Sequence, residues 1–98
     1  WLTSPDAVPN RDALQLSCLL NGEEMQSTNT NDLIFSVTDL VTYLSSIVEL
    51  LPGDVIFTGT PGGIGATRKP PRYLVPGDVL TTSLAGVATI TNTCVGPK

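Results

Sequence analysis

The stretch LQLSCLLNGEEMQS, residues 14–27, decides the fold class of this 98-residue chain. Apolar and polar side chains alternate along its first half with one exception, which is typical of a strand buried on one face. Asn21-Gly22 follows and favours a type I′ turn, because both residues readily take positive φ values. The stretch therefore predicts a hairpin between residues 14–20 and 23–27, with the short polar second arm at the edge of a sheet.

A single amphipathic helix is predicted at about residues 36–51. Ser36 and Asp39 have the spacing of a capping box, and Pro52-Gly53 ends the helical pattern. Between these signals the apolar residues recur at helical spacing: Val37, Leu40, Val41, Leu44, Ile47, Val48 and Leu51. The polar face carries no catalytic arrangement, so we expect this helix to be a scaffold that packs on the sheet.

The rest of the chain reads as short strands separated by turns. Residues 54–58, DVIFT, are β-branched or apolar on both faces and predict a strand buried on both sides. Residues 79–84 and 87–93 alternate around Ala85-Gly86 and predict a final hairpin. The predicted fold class is therefore a β-rich α+β fold with one helix.

Composition limits the chemistry of the chain. The net charge is −4, which argues against nucleic-acid binding, since that relies on Lys and Arg to neutralise phosphates. The chain has no His, so it contains neither a His general base nor a His metal ligand. No apolar run approaches 18 residues, so no membrane segment is expected. Cys18 and Cys94 are interpreted as reduced, buried thiols of a cytoplasmic protein.

The stretch GDVIFTGTPGGIGATRKPP, residues 53–71, carries most of the glycines and much of the positive charge. We call residues 59–72 the glycine loop. It has no Gly-Lys step and no Gly-x-Gly-x-x-Gly that opens a helix, and Lys69-Pro70-Pro71 prevents a helix from following. These departures exclude the two common nucleotide-phosphate motifs.

Residue chemistry alone leaves the role of this loop open, both for its threonines and for its cations. Thr58 and Thr60 flank Gly59, and their hydroxyls with nearby N–H groups either hold a carboxylate or cap a tight strand exit. Three of the five cations, Arg68, Lys69 and Arg72, either belong to a solvated loop or face an anion.

Taken together, residues 14–80 resemble the C-terminal part of the fumarylacetoacetate hydrolase family. The likeness rests on Leu-Asn-Gly-Glu at the first turn, on Leu33-Ile34-Phe35-Ser36, and on the Tyr-Leu-Ser helix. It rests further on Pro-Gly-Asp-Val-Ile-Phe-Thr-Gly-Thr-Pro, residues 52–61, and on a second Pro-Gly-Asp-Val before the terminal hairpin. The bacterial-type isomerases, acylpyruvate hydrolases and oxaloacetate decarboxylases of this family are the most similar in pattern.

The resemblance implies a mixed β-roll, a homodimer, and Mg²⁺ or Mn²⁺ held by acidic side chains. It also implies substrates that are 2-oxo or 1,3-dicarbonyl carboxylates. The metal would chelate adjacent substrate oxygens and stabilise the enolate through which C–C bond hydrolysis, decarboxylation and isomerisation all pass. Because the three reactions share that enolate, the sequence does not choose among them.

Only part of the family's site transfers to these residues. Thr58, Gly59 and Thr60 match the loop near the substrate carboxylate, so the resemblance implies substrate binding there. The metal ligands and the general base are expected upstream of Trp1, so no catalytic or metal residue is assigned within the chain. Adjacent Glu23-Glu24 is not a substitute, because neighbouring strand residues point to opposite faces.

These expectations make the 98 residues the C-terminal portion of a catalytic domain, with residues 1–13 as a connector. On that view the chain alone is predicted to be inactive. The alternative is a non-catalytic β-rich module that binds a partner or has a structural role, since strong catalytic side chains are absent from the sequence.

Overall fold

A computed structural model describes residues 3–97. These residues form four strands and one helix, with three short 3-10 turns. The strands are β1 (Gln15–Leu20), β2 (Glu23–Asn29), β3 (Val79–Leu84) and β4 (Ala88–Thr93), the helix is α1 (Val37–Ser45), and the 3-10 turns are Pro5–Ala7, Thr30–Asp32 and Gly65–Thr67. The predicted β-rich α+β class with one helix is confirmed.

The strands form one open antiparallel sheet in the order β2-β1-β3-β4. The first predicted hairpin is confirmed, because Asn21 and Gly22 have φ values of 53° and 85° and connect β1 to β2. The final hairpin, β3 with β4, is confirmed as well. As predicted, the polar strand β2 lies at an edge of the sheet.

Strand β2 contains a β-bulge that the sequence pattern does not reveal. Cys18 pairs with Gln26 and Leu19 pairs with Glu24, so the register passes over Met25. A bulge leaves one residue outside the ladder and turns the neighbouring side chains to new directions. The Met25 carbonyl and the Gln26 side chain are therefore available to a segment that approaches the edge of the sheet.

The buried apolar core is small. Leu14 and Leu20 are the buried apolar side chains within residues 3–97, and both lie on the face predicted to be covered. Cys18 and Cys94 are free thiols and are half-buried rather than fully buried.

Helix α1 is shorter than predicted. The Ser36 hydroxyl accepts from the Asp39 N–H, and the Asp39 carboxylate accepts from the Ser36 N–H, so the predicted capping box is confirmed. The helix ends at Ser45 instead of residue 51, because the Ser45 and Ser46 hydroxyls bond the carbonyls three residues earlier. Such side-chain bonds compete with helix continuation. In the described part of the chain, no helix is long and apolar enough to cross a membrane.

The predicted role of this helix as a scaffold packed on the sheet is wrong for residues 3–97. Contacts between α1 and the strands are few, and Val41 and Tyr43 are exposed. The apolar stripe continues beyond the helix, where Ile47 and Leu51 are exposed too. The helix begins at the predicted residue, but the described sheet does not supply a surface that covers its apolar stripe.

The predicted strand at residues 54–58 is also corrected. This segment has no regular secondary structure, and Val55 and Phe57 are 72% and 93% exposed. A β-branched run becomes a buried strand only when a neighbouring strand supplies hydrogen bonds and a packed face. Among residues 3–97 the sheet consists of β1 to β4, and none of them pairs with this segment.

The two Pro-Gly-Asp sequences form the same turn. Asp54 N–H donates to the Leu51 carbonyl and Asp78 N–H donates to the Val75 carbonyl, both at 3.1 Å. Each Asp carboxylate also accepts the N–H of the first turn residue, at 2.8 Å for Leu51 and 2.9 Å for Val75. The local sequence thus encodes one turn geometry twice.

The environments of the two carboxylates differ. Asp54 is exposed, whereas Asp78 is 4% exposed and accepts from Arg72 Nη2 at 2.7 and 2.8 Å. Asn21 Nδ2 donates to Asp78 Oδ1 at 2.8 Å, and Asn21 Oδ1 accepts the Val79 N–H. The Arg72 side chain, followed by the Val75 N–H and Asn21, lowers the pKa of Asp78 to about 2 from its ordinary 3.8.

We expect the Asp78 network to make stability depend on acid pH. Because the folded-state pKa is lowered, its stabilisation is present above pH ~4 and is lost as the pH falls toward 2. Thermal unfolding between pH 2 and 6 should show that Asp78→Asn lowers the midpoint at pH 6 and flattens the acid dependence. Asp54→Asn is the matched control, since it changes the same turn without the Arg72 and Asn21 partners. Equal effects of the two substitutions would contradict the role of this network.

Candidate binding cleft

A cleft of about 460 Å³ lies between the polar end of the first hairpin, the start of α1 and the entry to the glycine loop. This volume is within the range of small-molecule sites. The apolar lining comprises Leu16, Leu33, Ile34, Phe35, Leu40 and Pro61, and the polar lining comprises Thr28, Asn29, Thr30, Asp32, Thr58, Gly59 and Thr60. The cleft therefore has both an apolar wall and a hydroxyl-rich wall.

The structure brings the three predicted site residues together in this cleft. We call Thr58, Gly59 and Thr60 the Thr-Gly-Thr segment. Gly59 has a φ of 105°, a left-handed conformation that favours glycine over residues with a Cβ. The segment's backbone N–H groups have no acceptor among residues 3–97. Residues that line the cleft thus bring two hydroxyl groups and unbonded backbone N–H groups within one short stretch of chain.

The opposite polar wall is occupied largely by local hydrogen bonds. The Asp32 carboxylate accepts from the Thr28 hydroxyl at 2.9 Å and from the Asn29 N–H at 3.2 Å. The Asn29 backbone bond, followed by the Thr28 hydroxyl, lowers the pKa of Asp32. Thr30 Oγ1 accepts the Leu14 N–H and donates to the Arg11 carbonyl. The side chains of Thr30 and Asp32 therefore satisfy backbone groups around them.

The glycine loop lies against the bulge of β2. A Cβ on Gly63 would overlap the Met25 carbonyl, and a Cβ on Gly65 would overlap the Arg72 carbonyl. Arg68 stabilises the same contact, since its Nη2 donates to the Met25 carbonyl at 2.8 Å and its Nε donates to the Gly63 carbonyl at 3.2 Å. These close approaches determine where the Thr-Gly-Thr segment is held.

Neither alternative for the cation cluster describes Arg68 and Arg72. Arg68 is half-buried on backbone carbonyls, and Arg72 pairs with Asp78 and donates to the Tyr73 carbonyl. Lys69 is exposed. All three line a separate cleft of about 320 Å³ and do not line the cleft that contains the Thr-Gly-Thr segment. The two arginines therefore hold the loop in place.

Residues 3–97 do not provide a metal site. Within that range no group of three or more Cys, Asp and Glu side chains comes close enough to hold an ion. Asp32, the acidic residue of the larger cleft, already uses one oxygen for two local hydrogen bonds. The described residues thus do not fit Mg²⁺ or Mn²⁺.

Comparison with protein families agrees with this fold. Residues 1–95 match the family model for the fumarylacetoacetate (FAA) hydrolase C-terminal domain. The chain belongs to the fumarylacetoacetate hydrolase family. The resemblance drawn from the sequence is confirmed.

Among family proteins, the bovine mitochondrial oxaloacetate tautomerase FAHD2A (Bos taurus) is 43% identical over 94 residues, and its human counterpart (Homo sapiens) is 42% identical. Each alignment covers 96% of this chain and 30% of the relative. The chain thus spans about a third or less of the length of these relatives.

Solved structures of the family have the same fold. A Mycobacterium smegmatis protein provisionally named HpcE is 49% identical with a TM-score of 0.93, covering 97% of this chain and 35% of that one. Maleylpyruvate hydrolase from Sphingobium sp. SYK-6 is 32% identical with a TM-score of 0.85, covering 97% and 33%. That hydrolase was solved with manganese(II) and pyruvate bound.

Sequence reasoning missed two residues that position the loop, Gln26 and Met25. Gln26 Nε2 donates to the Thr60 hydroxyl oxygen at 3.1 Å and to the Pro61 carbonyl at 2.8 Å. Both residues lie in a short polar edge strand, and their partners are more than 30 positions away along the chain. No local pattern marks such contacts.

We expect Gly65→Ala to destabilise the loop and Gly62→Ala to have little effect. The first substitution places a Cβ against the Arg72 carbonyl, whereas the second has no atom within 4 Å of the new Cβ. Overpacking of this kind costs about 1–3 kcal/mol in the free energy of unfolding. Chemical denaturation of the two variants measures the difference. Similar losses for both would show that the loop adapts and that the close approach is unimportant.

Proposed function

We propose that this chain is the C-terminal portion of an enzyme that acts through an enolate on 2-oxo or 1,3-dicarbonyl carboxylates. The reaction is C–C bond hydrolysis, decarboxylation or an isomerisation that includes tautomerisation. The Thr-Gly-Thr segment binds the substrate carboxylate. The observation that carries this assignment is the cleft itself, in which Thr58, Gly59 and Thr60 provide hydroxyl and N–H donors beside an apolar wall.

The chemistry of the cleft supports a small carboxylate. An anion is stabilised by several hydrogen-bond donors at once, and hydrogen bonds to a charged group are stronger than neutral ones. The apolar wall, which includes Leu33 and Phe35, suits the carbon skeleton of the same molecule. Family relatives are named for oxaloacetate tautomerisation and maleylpyruvate hydrolysis, and both names refer to 2-oxo carboxylates.

The metal and the compartment are also part of the proposal. We propose Mg²⁺ or Mn²⁺ as the cofactor, with its ligands outside the 98 residues, in line with the manganese bound to the Sphingobium hydrolase. We propose a cytoplasmic location for this chain, whereas the bovine and human relatives are named as mitochondrial.

We propose a homodimer that binds neither nucleic acid nor membrane. The exposed apolar side chains support an extensive interface, since Ile34 and Phe57 are each 93% exposed and Val55 is 72% exposed. Surfaces of this kind are typical of protein–protein contact.

Thr60→Val should weaken substrate binding in the polypeptide encoded by the complete reading frame, called the full polypeptide below. Losing one hydrogen bond to a carboxylate should raise KM about tenfold or more, whereas Thr60→Ser should stay near the wild type. Steady-state kinetics with oxaloacetate and acylpyruvates, with Mg²⁺ or Mn²⁺, measure this effect. Thr67→Val is the matched control, because the Thr67 hydroxyl bonds the Ile64 carbonyl outside the cleft. An unchanged KM in Thr60→Val would contradict the assignment.

The 98 residues alone should show no turnover of oxaloacetate or acylpyruvates with Mg²⁺ or Mn²⁺. The described residues lack a cluster of metal ligands, and enolate formation requires such an electrophile or an equivalent donor set. The full polypeptide assayed under the same conditions is the positive control. Metal-dependent turnover by the isolated 98 residues would place the chemistry within this chain. No turnover by either form with a broad substrate set would favour the binding-module alternative.

A further inference from the structure

Gln26 joins the sheet to the Thr-Gly-Thr segment. It lies in β2 directly after the bulge at Met25, and it is half-buried. Its side-chain nitrogen Nε2 is 2.8 Å from the Pro61 carbonyl oxygen and 3.1 Å from Thr60 Oγ1. One amide group therefore bonds two consecutive residues of the glycine loop.

The partners of this amide determine its orientation. A backbone carbonyl oxygen can only accept, so the Gln26 atom that faces Pro61 is the NH₂ group and not the amide oxygen. An NH₂ group has two hydrogens, and the second is directed at Thr60 Oγ1. The Thr60 hydroxyl oxygen is thus an acceptor in this contact.

This contact leaves the Thr60 hydroxyl hydrogen unused. The Gln26 NH₂ group cannot accept it, and no other acceptor for it occurs among residues 3–97. Thr60 is exposed and lines the larger cleft together with Gly59 and Thr58. The hydroxyl is therefore free to donate to a ligand in the cleft, and its oxygen is less available to a ligand that donates.

We propose that Gln26 is a positioning residue that fixes Thr60 as a hydrogen-bond donor to a carboxylate oxygen in the cleft. This proposal rests on the proposed function and specifies how the Thr-Gly-Thr segment prefers an anion. A hydroxyl that rotates freely can donate its hydrogen to a ligand or accept a hydrogen bond from it. A hydroxyl whose oxygen already accepts from Gln26 presents its hydrogen, so a carboxylate is favoured over a neutral donor such as an alcohol or amide N–H.

The test is a double-mutant cycle on pyruvate binding by the full polypeptide with saturating Mg²⁺, measured by titration calorimetry. Gln26→Met keeps the side-chain length but removes both donors, and we expect it to raise the pyruvate Kd about fivefold. In a Thr60→Val background the same substitution should change Kd less than twofold, because the hydroxyl through which it acts is gone. With any substrate that the enzyme turns over, Gln26→Met should raise KM while kcat stays within about twofold.

Gln15→Met is the matched control. Gln15 is exposed on β1, and its Nε2 donates to the Ser27 hydroxyl, away from the residues that line the cleft. Gln15→Met should leave the pyruvate Kd unchanged. If Gln26→Met does not fold, Gln26→Leu is carried through the same cycle, since it also removes both donors and adds no charge.

The outcomes separate this inference from the proposed function. A Gln26 substitution that leaves Kd unchanged, or that raises it equally in both backgrounds, overturns the positioning role. If Gln26→Met raises the pyruvate Kd equally with Thr60 and with Val at position 60, Gln26 acts by holding the loop backbone through Pro61. A Thr60→Val variant that binds pyruvate as the wild type does overturns the proposed function itself.

Discussion

The buried carboxylate of Asp78 joins three separate parts of the chain. It is 4% exposed, and a buried charge is costly unless donors surround it. Its donors come from three different parts of the chain: Asn21 from the first hairpin turn, Arg72 from the end of the glycine loop, and the Val75 N–H from the second Pro-Gly-Asp turn. Since all three must be present together, the end of the loop is fixed beside the turn of the first hairpin. β3 then pairs with β1 directly after this junction.

The other end of the glycine loop is held by the bulge in β2. The bulge exposes the Met25 carbonyl to Arg68 and directs Gln26 toward Thr60 and Pro61. An edge strand with unpaired groups is a site for unwanted pairing, and the loop covers part of this edge. Fixed at both ends, the loop presents the Thr-Gly-Thr segment to the cleft on a firm support. The positions of hydrogen-bond donors are easier to maintain on a supported loop than on a mobile one.

Local patterns predicted the elements whose hydrogen bonds are short-range. The Asn21-Gly22 turn and the capping box of Ser36 and Asp39 involve groups three or fewer residues apart. The predictions are wrong where contacts with distant parts of the chain determine the local structure. Residues 54–58 have strand composition but no partner strand among residues 3–97, and the apolar stripe of α1 has no surface in the described sheet that covers Val41. Asp54 and Asp78 show the same limit, because an identical turn is exposed in one place and buried in the other.

The two hairpins, the start of the helix and the fold class follow from the sequence, and the Pro-Gly-Asp-Val-Ile-Phe-Thr-Gly-Thr-Pro pattern indicates the family. It also pointed to Thr58, Gly59 and Thr60 as the residues to consider for carboxylate binding. The roles of Arg68 and Arg72 in holding the loop became visible in the folded chain, as did the hydrogen bond between Gln26 and Thr60, which are 34 positions apart. The physical reason is the range of the interactions. Turns and caps are specified by neighbouring residues, whereas a contact between an edge strand and a distant loop exists only after the sheet has formed and its bulge has turned those groups outward.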